Sequence, residues 1–193
     1  MDTLEELRFA VGDLVVYASH GVGRVASRDR KSVVLEFAER GLSVTLPIER
    51  AVECVRAIST EVEITSIGRT LGEADAVSVE NWQRRLKATR GKVTDGDAVG
   101  LAEVIRDASR RGERATARKE PGKLSLTERQ LCVKARQLLA DEIGASRGVD
   151  SAEADAWIGD QIAGERVHEP SGDVVLARAP SEGSGRRARR RKH

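Results

Sequence analysis

Between residues 9 and 58, short apolar runs recur about every ten residues: Leu14–Tyr17, Val22–Val25, Val33–Phe37, Leu42–Leu46 and Val52–Val55. Turn-formers separate them: Gly21, the polar stretch Arg28–Ser32, Gly41 and Pro47. Leu42, Val44 and Leu46 alternate with Ser43 and Thr45, the period-two pattern of a half-buried strand. Five short strands in so few residues are too few for a sandwich and enough for a small SH3-like barrel. Phe9, Tyr17 and Phe37, three of the chain's five aromatics, fall here and are expected in its core.

Beyond about residue 60 the period becomes helical. Val62, Ile67 and Leu71 form a weak pattern interrupted by Gly68 and Gly72. A second helix is predicted over 78–90, with Ser78 as N-cap and Glu80 in its first turn. Ala98, Leu101, Ala102 and Ile105 follow i, i+3, i+4, i+7 spacing, with Asp95 or Asp97 near the start. Ser125-Leu126-Thr127-Glu128 is a capping-box pattern opening a helix whose buried stripe is Leu131, Ala135, Leu138 and Leu139. A last helix begins at Asp150 and carries Trp157, Ile158 and Ile162. Residues 110–123, with six cations against Glu113 and Glu120, read as a long loop or a frayed helix end. Residues 165–193, with Pro170, Gly172, Pro180, Gly183 and Gly185, read as a disordered tail.

The net charge of +2 hides an asymmetry. Six of the 33 Lys and Arg are Arg186, Arg187, Arg189, Arg190, Arg191 and Lys192; the rest of the chain holds 27 cations against 31 Asp and Glu, a net of −4. A claim of nucleic-acid binding therefore needs a local cluster rather than the global balance. No apolar run approaches 18 residues, and the first residues lack the basic-then-apolar layout of a signal peptide, so a cytoplasmic protein is expected. Cys54 and Cys132 stand alone, which suggests neither a disulfide framework nor a cysteine zinc site.

Candidates for chemistry are few. Gly21-Val22-Gly23-Arg24-Val25-Ala26 matches a dinucleotide fingerprint, but that motif works only at the start of a helix, and another β-like run follows. The simpler reading is that the glycines permit a tight turn. His20 neighbours Ser19, yet adjacent residues on an extended chain point to opposite faces and form no nucleophile–base pair. His168 and His193 lie in the tail, and no metal-ligand spacing is present. No catalytic residue, cofactor or metal is assigned, and the chain is not expected to be an enzyme.

The most informative stretch is residues 81–92, with Arg84, Arg85, Lys87, Arg90 and Lys92, no anion, and one of the chain's two tryptophans, Trp82. Two readings stand. Trp82 and Leu86, spaced i, i+4, are buried together while the cations are solvated. Alternatively a basic helix face lies on phosphates while an exposed Trp82 stacks on or wedges against bases.

Four segments carry a resemblance to a known family. Residues 9–25, from Phe9-Ala10-Val11-Gly12-Asp13 to Val25, resemble the opening of the CarD/CdnL family of bacterial transcription regulators, a module shared with the RNA-polymerase-interacting domain of transcription-repair coupling factors. Asn81-Trp82-Gln83-Arg84-Arg85-Leu86-Lys87 is similar to the N-W-x-R-R-x-K helix of the family's C-terminal domain, and residues 101–111 and 125–142 resemble its later helices. The likeness covers roughly residues 8–163.

The resemblance implies a non-enzymatic factor, expected as a monomer, that rides on RNA polymerase at promoters. A Tudor-like barrel would dock on the polymerase β subunit, and a helical domain would contact promoter DNA at the upstream edge of the transcription bubble. It assigns the minor-groove wedge to Trp82 and the basic positions to Arg84, Arg85 and Lys87; Arg90 extends that basic face. The polymerase contact falls on Val44, Thr45, Leu46 and Pro47, with Arg28 and Arg30 beside them. Thr45 stands where many relatives carry arginine, and the hairpin over residues 27–32 is shorter than usual. The terminal Arg run lies outside the resemblance; it raises nonspecific DNA affinity, meets another acidic surface, or serves only as a solubilising tail.

The expected architecture is thus α+β in two domains. An SH3-like or Tudor-like five-stranded barrel (1–58) precedes an all-α bundle (59–164) and a disordered basic tail (165–193). The expected function is stabilisation of the open promoter complex. Its rivals are a polymerase-binding adaptor whose helices recruit another protein rather than DNA, and, far behind, an enzyme using residues 21–26 as a nucleotide site.

Overall fold

The computed structural model describes residues 9–73, 81–118 and 124–164. The N-terminal part is an antiparallel sheet of β1 (Leu14–Tyr17), β2 (Gly21–Arg28), β3 (Ser32–Phe37), β4 (Leu42–Pro47) and β5 (Val55–Ala57), in the order β4-β3-β2-β1-β5. Val15, Val25, Val33, Leu35, Phe37 and Leu46 fill its core, with Phe9 and Tyr17 partly buried against them. Gly21 has φ +83°, which the turn between β1 and β2 requires and which glycine adopts without steric cost. Gly23 is small for a different reason. It sits within β2, and a Cβ there would come within 2.8 Å of the Phe37 ring. The Gly21–Ala26 stretch is therefore strand throughout, with no helix at its end.

One predicted strand is a helix. Residues 48–54 form α1 (Ile48–Cys54), and the fifth strand begins only at Val55. Ile48 and Ala51, three apart, are both buried, whereas Val52 faces solvent. The pattern over 48–55 has the spacing of one helix face, which the run Val52–Val55 taken alone conceals.

Five helices follow: α2 (Glu61–Gly72), α3 (Trp82–Asp95), α4 (Ala98–Arg118), α5 (Leu126–Arg147) and α6 (Ser151–Gly164). Thr60 and Glu63 form a reciprocal capping box for α2, and Ser125 and Glu128 form the expected one for α5. The buried stripe of α2 is Ile64, Ile67 and Leu71; Val62 is 81% exposed and takes no part. Gly68 does not interrupt this helix. It lets α6 approach, since a Cβ would lie 2.9 Å from Gln161 Oε1 and 3.3 Å from Trp157. The α5 stripe matches expectation at Ala135, Leu138 and Leu139 and continues to Ile143, with Leu131 packed at its edge. Trp157 is half-buried against this core under the Arg147 guanidinium, 4.6 Å from the ring centroid.

The basic stretch after residue 110, expected as a long loop or a frayed helix end, is helical through Arg118. It continues α4 because Arg110 and Arg106 turn back onto the end of α2: Arg110 donates to the Gly72 carbonyl at 2.7 Å, and Arg106 pairs with Glu73 at 2.6 Å. These guanidiniums satisfy carbonyls that a helix C-terminus leaves open. Residues 119–123, the predicted N-cap Ser78 and first-turn Glu80, and the tail 165–193 lie outside the described residues.

Sheet and helices share a polar clasp. Glu142 of α5, 1% exposed, accepts from Arg56 of β5 at 2.5 and 2.8 Å, and from the Ser59 amide and hydroxyl at 3.0 and 2.7 Å. Arg56 also donates to the Gly96 carbonyl at 2.8 Å. Burial disfavours the Arg56 charge, but the Glu142 carboxylate outweighs it and holds the guanidinium pKa above its ordinary value. Beside the clasp, Gly96, at φ +66°, packs so closely on Ala18 that a Cβ would sit 2.7 Å from its carbonyl oxygen.

Candidate nucleic-acid interface

The helix that carries the tryptophan starts later than its sequence predicts. Asn81 is the N-cap, its side-chain oxygen accepting from the Gln83 amide at 3.0 Å, so Trp82 is the first helical residue. That position decides its environment. Leu86, one turn further on, is half-buried, whereas Trp82 projects from the first turn and is 48% exposed. The pair does not form a buried stripe; the only fully buried residue of α3 is Val93.

Arg84, Lys87 and Arg90 are exposed. At 3.6 residues per turn they share an arc of about 120°. Among residues 82–95 the sole carboxylate is Asp95, at the far end. The near end is an α-helix N-terminus, whose unpaired amides favour anions. Lys92 is drawn off this face by Glu103 at 2.6 Å.

Arg85 differs from its neighbours. It is half-buried, and its Nε donates to Glu128 Oε1 at 3.0 Å. Glu128, 7% exposed, also takes the Ser125 amide and hydroxyl at 2.9 and 2.8 Å. Burial alone would raise the Glu128 pKa. The Ser125 bonds and Arg85 together hold it below the ordinary carboxylate value. Arg85 thus fixes α3 to α5, a role no sequence spacing indicates. Arg111 of α4 lies in the same charged neighbourhood: burial, then the Arg85 and Arg114 charges, lower its pKa. Sequence reading assigned Arg111 no role, because it stood at the end of one helix-like stretch and the start of one read as a loop or frayed helix end.

The second expected surface is the edge of the sheet. β4 pairs with β3 on one side, Thr45 opposite Val34 and Leu46 opposite Val33, and lies at the end of the strand order. Thr45 and Pro47 are exposed and Val44 is half-buried. Leu46 is 7% exposed and belongs to the sheet core, so its side chain is not offered to a partner. Arg30 is exposed in the β2–β3 hairpin, where Asp29 caps the turn by accepting from the Lys31 and Ser32 amides at 2.7 Å. Arg28 is half-buried and donates to the Phe9 carbonyl at 2.8 Å.

Two sequence profiles match this arrangement. One, described as the CarD-like/TRCF RID domain, spans residues 9–59, the sheet and its connections. The other, described as the CarD C-terminal domain, spans residues 66–159 and takes in α3 through most of α6. The chain belongs to the CarD family. A relative from Bacillus subtilis (strain 168), named "Putative transcription factor YdeB", is 21% identical over 150 residues, covering 73% of this chain and 94% of YdeB. Membership places the chain among transcription regulators linked to RNA polymerase. Among the described residues, no cluster of three or more His, Cys, Asp or Glu is placed to hold a metal, and no helix is long and apolar enough to cross a membrane.

Proposed function

We propose that this chain regulates transcription initiation by binding the RNA polymerase β subunit through the edge of β4 and promoter DNA through α3. There it stabilises the open promoter complex. The observation that carries this reading is the half-exposed Trp82 at the start of a helix whose solvent face holds Arg84, Lys87 and Arg90. A large apolar ring inserted at a base step costs a few kcal/mol of unstacking, which phosphate contacts by neighbouring cations offset. Such contacts position without reading sequence, so binding should be largely nonspecific and centred on the distorted DNA at the upstream edge of the bubble.

On the polymerase side, the exposed Thr45 and Pro47 and the backbone of β4 form the contact, with Arg30 and Arg28 adding charge. The strands curl as a Tudor-like barrel, and the chain divides at residues 58 and 59 into a polymerase-binding and a DNA-contacting domain. It acts as a cytoplasmic monomer brought to the nucleoid by the polymerase.

Affinity for a forked promoter fragment, titrated against salt, tests the DNA arm. Arg84→Ala, Lys87→Ala and Arg90→Ala should each weaken binding and each lower the salt slope by about 1. The adaptor alternative, in which the helices recruit a protein, predicts no change in either quantity.

A further inference from the structure

Away from α3 and β4, α5 turns a strip of its outer face to solvent. Leu126 and Val133 lie two turns apart, 64% and 70% exposed, with Gln130 and Gln137 continuing the same row. Isolated exposed apolar residues need no explanation. These two share a groove of about 560 Å3 whose remaining lining includes Arg40, Arg129 and Lys134 and no carboxylate. Arg40 comes from the turn before β4, so the groove runs between the sheet and α5. An apolar floor whose charged lining is all cationic fits a segment that is aliphatic in its middle and acidic at its entry.

The chain contains one. Within residues 165–193, Val174-Val175-Leu176 is the sole aliphatic triplet, and Glu169 and Asp173 precede it. Its reach is sufficient. α6 runs antiparallel to α5, with Ser151 bonded to Asp141 and Asp155 to Arg136. From Asp155 to Gly164 the helix climbs about 13 Å, which brings its end level with the first turns of α5. The chain from Gly164 to Asp173 spans up to about 30 Å when extended, against a helix diameter of about 10–12 Å.

We propose that residues 169–176 dock in this groove within the same molecule. Val174, Val175 and Leu176 cover Leu126 and Val133, and Glu169 and Asp173 face Arg129, Lys134 and Arg40. The docking itself stands or falls independently of DNA binding.

Methyl NMR on the full chain reads it directly. The Leu126 and Val133 methyl resonances in the native sequence should differ from those in Val175→Asp/Leu176→Asp, at every protein concentration, while core methyls such as Ile105 and Ile158 stay in place. Glu169→Lys/Asp173→Lys should move Leu126 and Val133 in the same direction as the apolar variant. Identical Leu126 and Val133 shifts in native and variant chains would overturn the proposal and leave the groove to a different molecule. Shifts that depend on concentration would overturn it too, by assigning the groove to a second copy of the chain.

Discussion

Arg85 of α3 donates to the nearly buried Glu128 of α5 at 3.0 Å, so the helix presenting Trp82 is tied to the capping box of its neighbour. Two adjacent arginines on that helix therefore have separate duties. Arg85→Ala leaves a buried carboxylate short of a partner and should cost about 2 kcal/mol in urea unfolding. Arg84→Ala, at an exposed position, should stay within about 0.5 kcal/mol of the native chain. DNA affinity should fall in both, but only in Arg85→Ala together with stability.

The same carboxylate sets a pH dependence. Its folded pKa lies below the ordinary 4.5, so its contribution is complete above that value and is lost as pH falls through the lower folded pKa. Thermal melts taken from neutral pH downward should show falling stability below 4.5. Glu128→Gln should melt lower at neutral pH and show a shallower acid decline. Glu61 and Glu63, held low by Arg147 and by Thr60, keep part of that slope.

Glu142 joins sheet to helices, and removing it strands the half-buried Arg56 charge. Glu142→Ala should cost about 3–5 kcal/mol. The double variant Arg56→Met/Glu142→Leu should recover much of that loss, because no unpaired charge then remains buried. Denaturant titration of the two variants separates these outcomes. Near-native stability in Glu142→Ala would show that the clasp contributes little.

Gly96 and Gly41 form an internal comparison. Both have positive φ, but a Cβ meets Ala18 backbone at 2.7 Å in the first and nothing within 4 Å in the second. Gly41→Ala should cost about 1 kcal/mol, from conformation alone. Gly96→Ala adds the displacement of Ala18 and should cost about 2–4 kcal/mol. Urea unfolding of both variants checks the difference.

Local signals carried much of this structure. The Ser125–Glu128 box, the α5 stripe and four of the five strands are written in short-range pattern. Val52–Val55 misled because a short apolar run fits both periods, and the buried Ile48 and Ala51 decide it. The 110–118 segment left a loop and a helix end both open, and what ties the helix to α2 there, Arg110 on the Gly72 carbonyl, is a tertiary partner that composition cannot reveal. At the site, the basic cluster beside Trp82 was visible, but its division was not. Arg85 facing Glu128 and Leu46 facing the core depend on which way each element is turned.

The lifetime of open complexes tests the central claim most directly, measured with RNA polymerase from the same source under a competitor that traps released enzyme. Adding the protein should lengthen the lifetime, and Trp82→Ala should abolish most of that gain while leaving polymerase binding intact. A lifetime unchanged by the native protein, or equally long with Trp82→Ala, would contradict the claim.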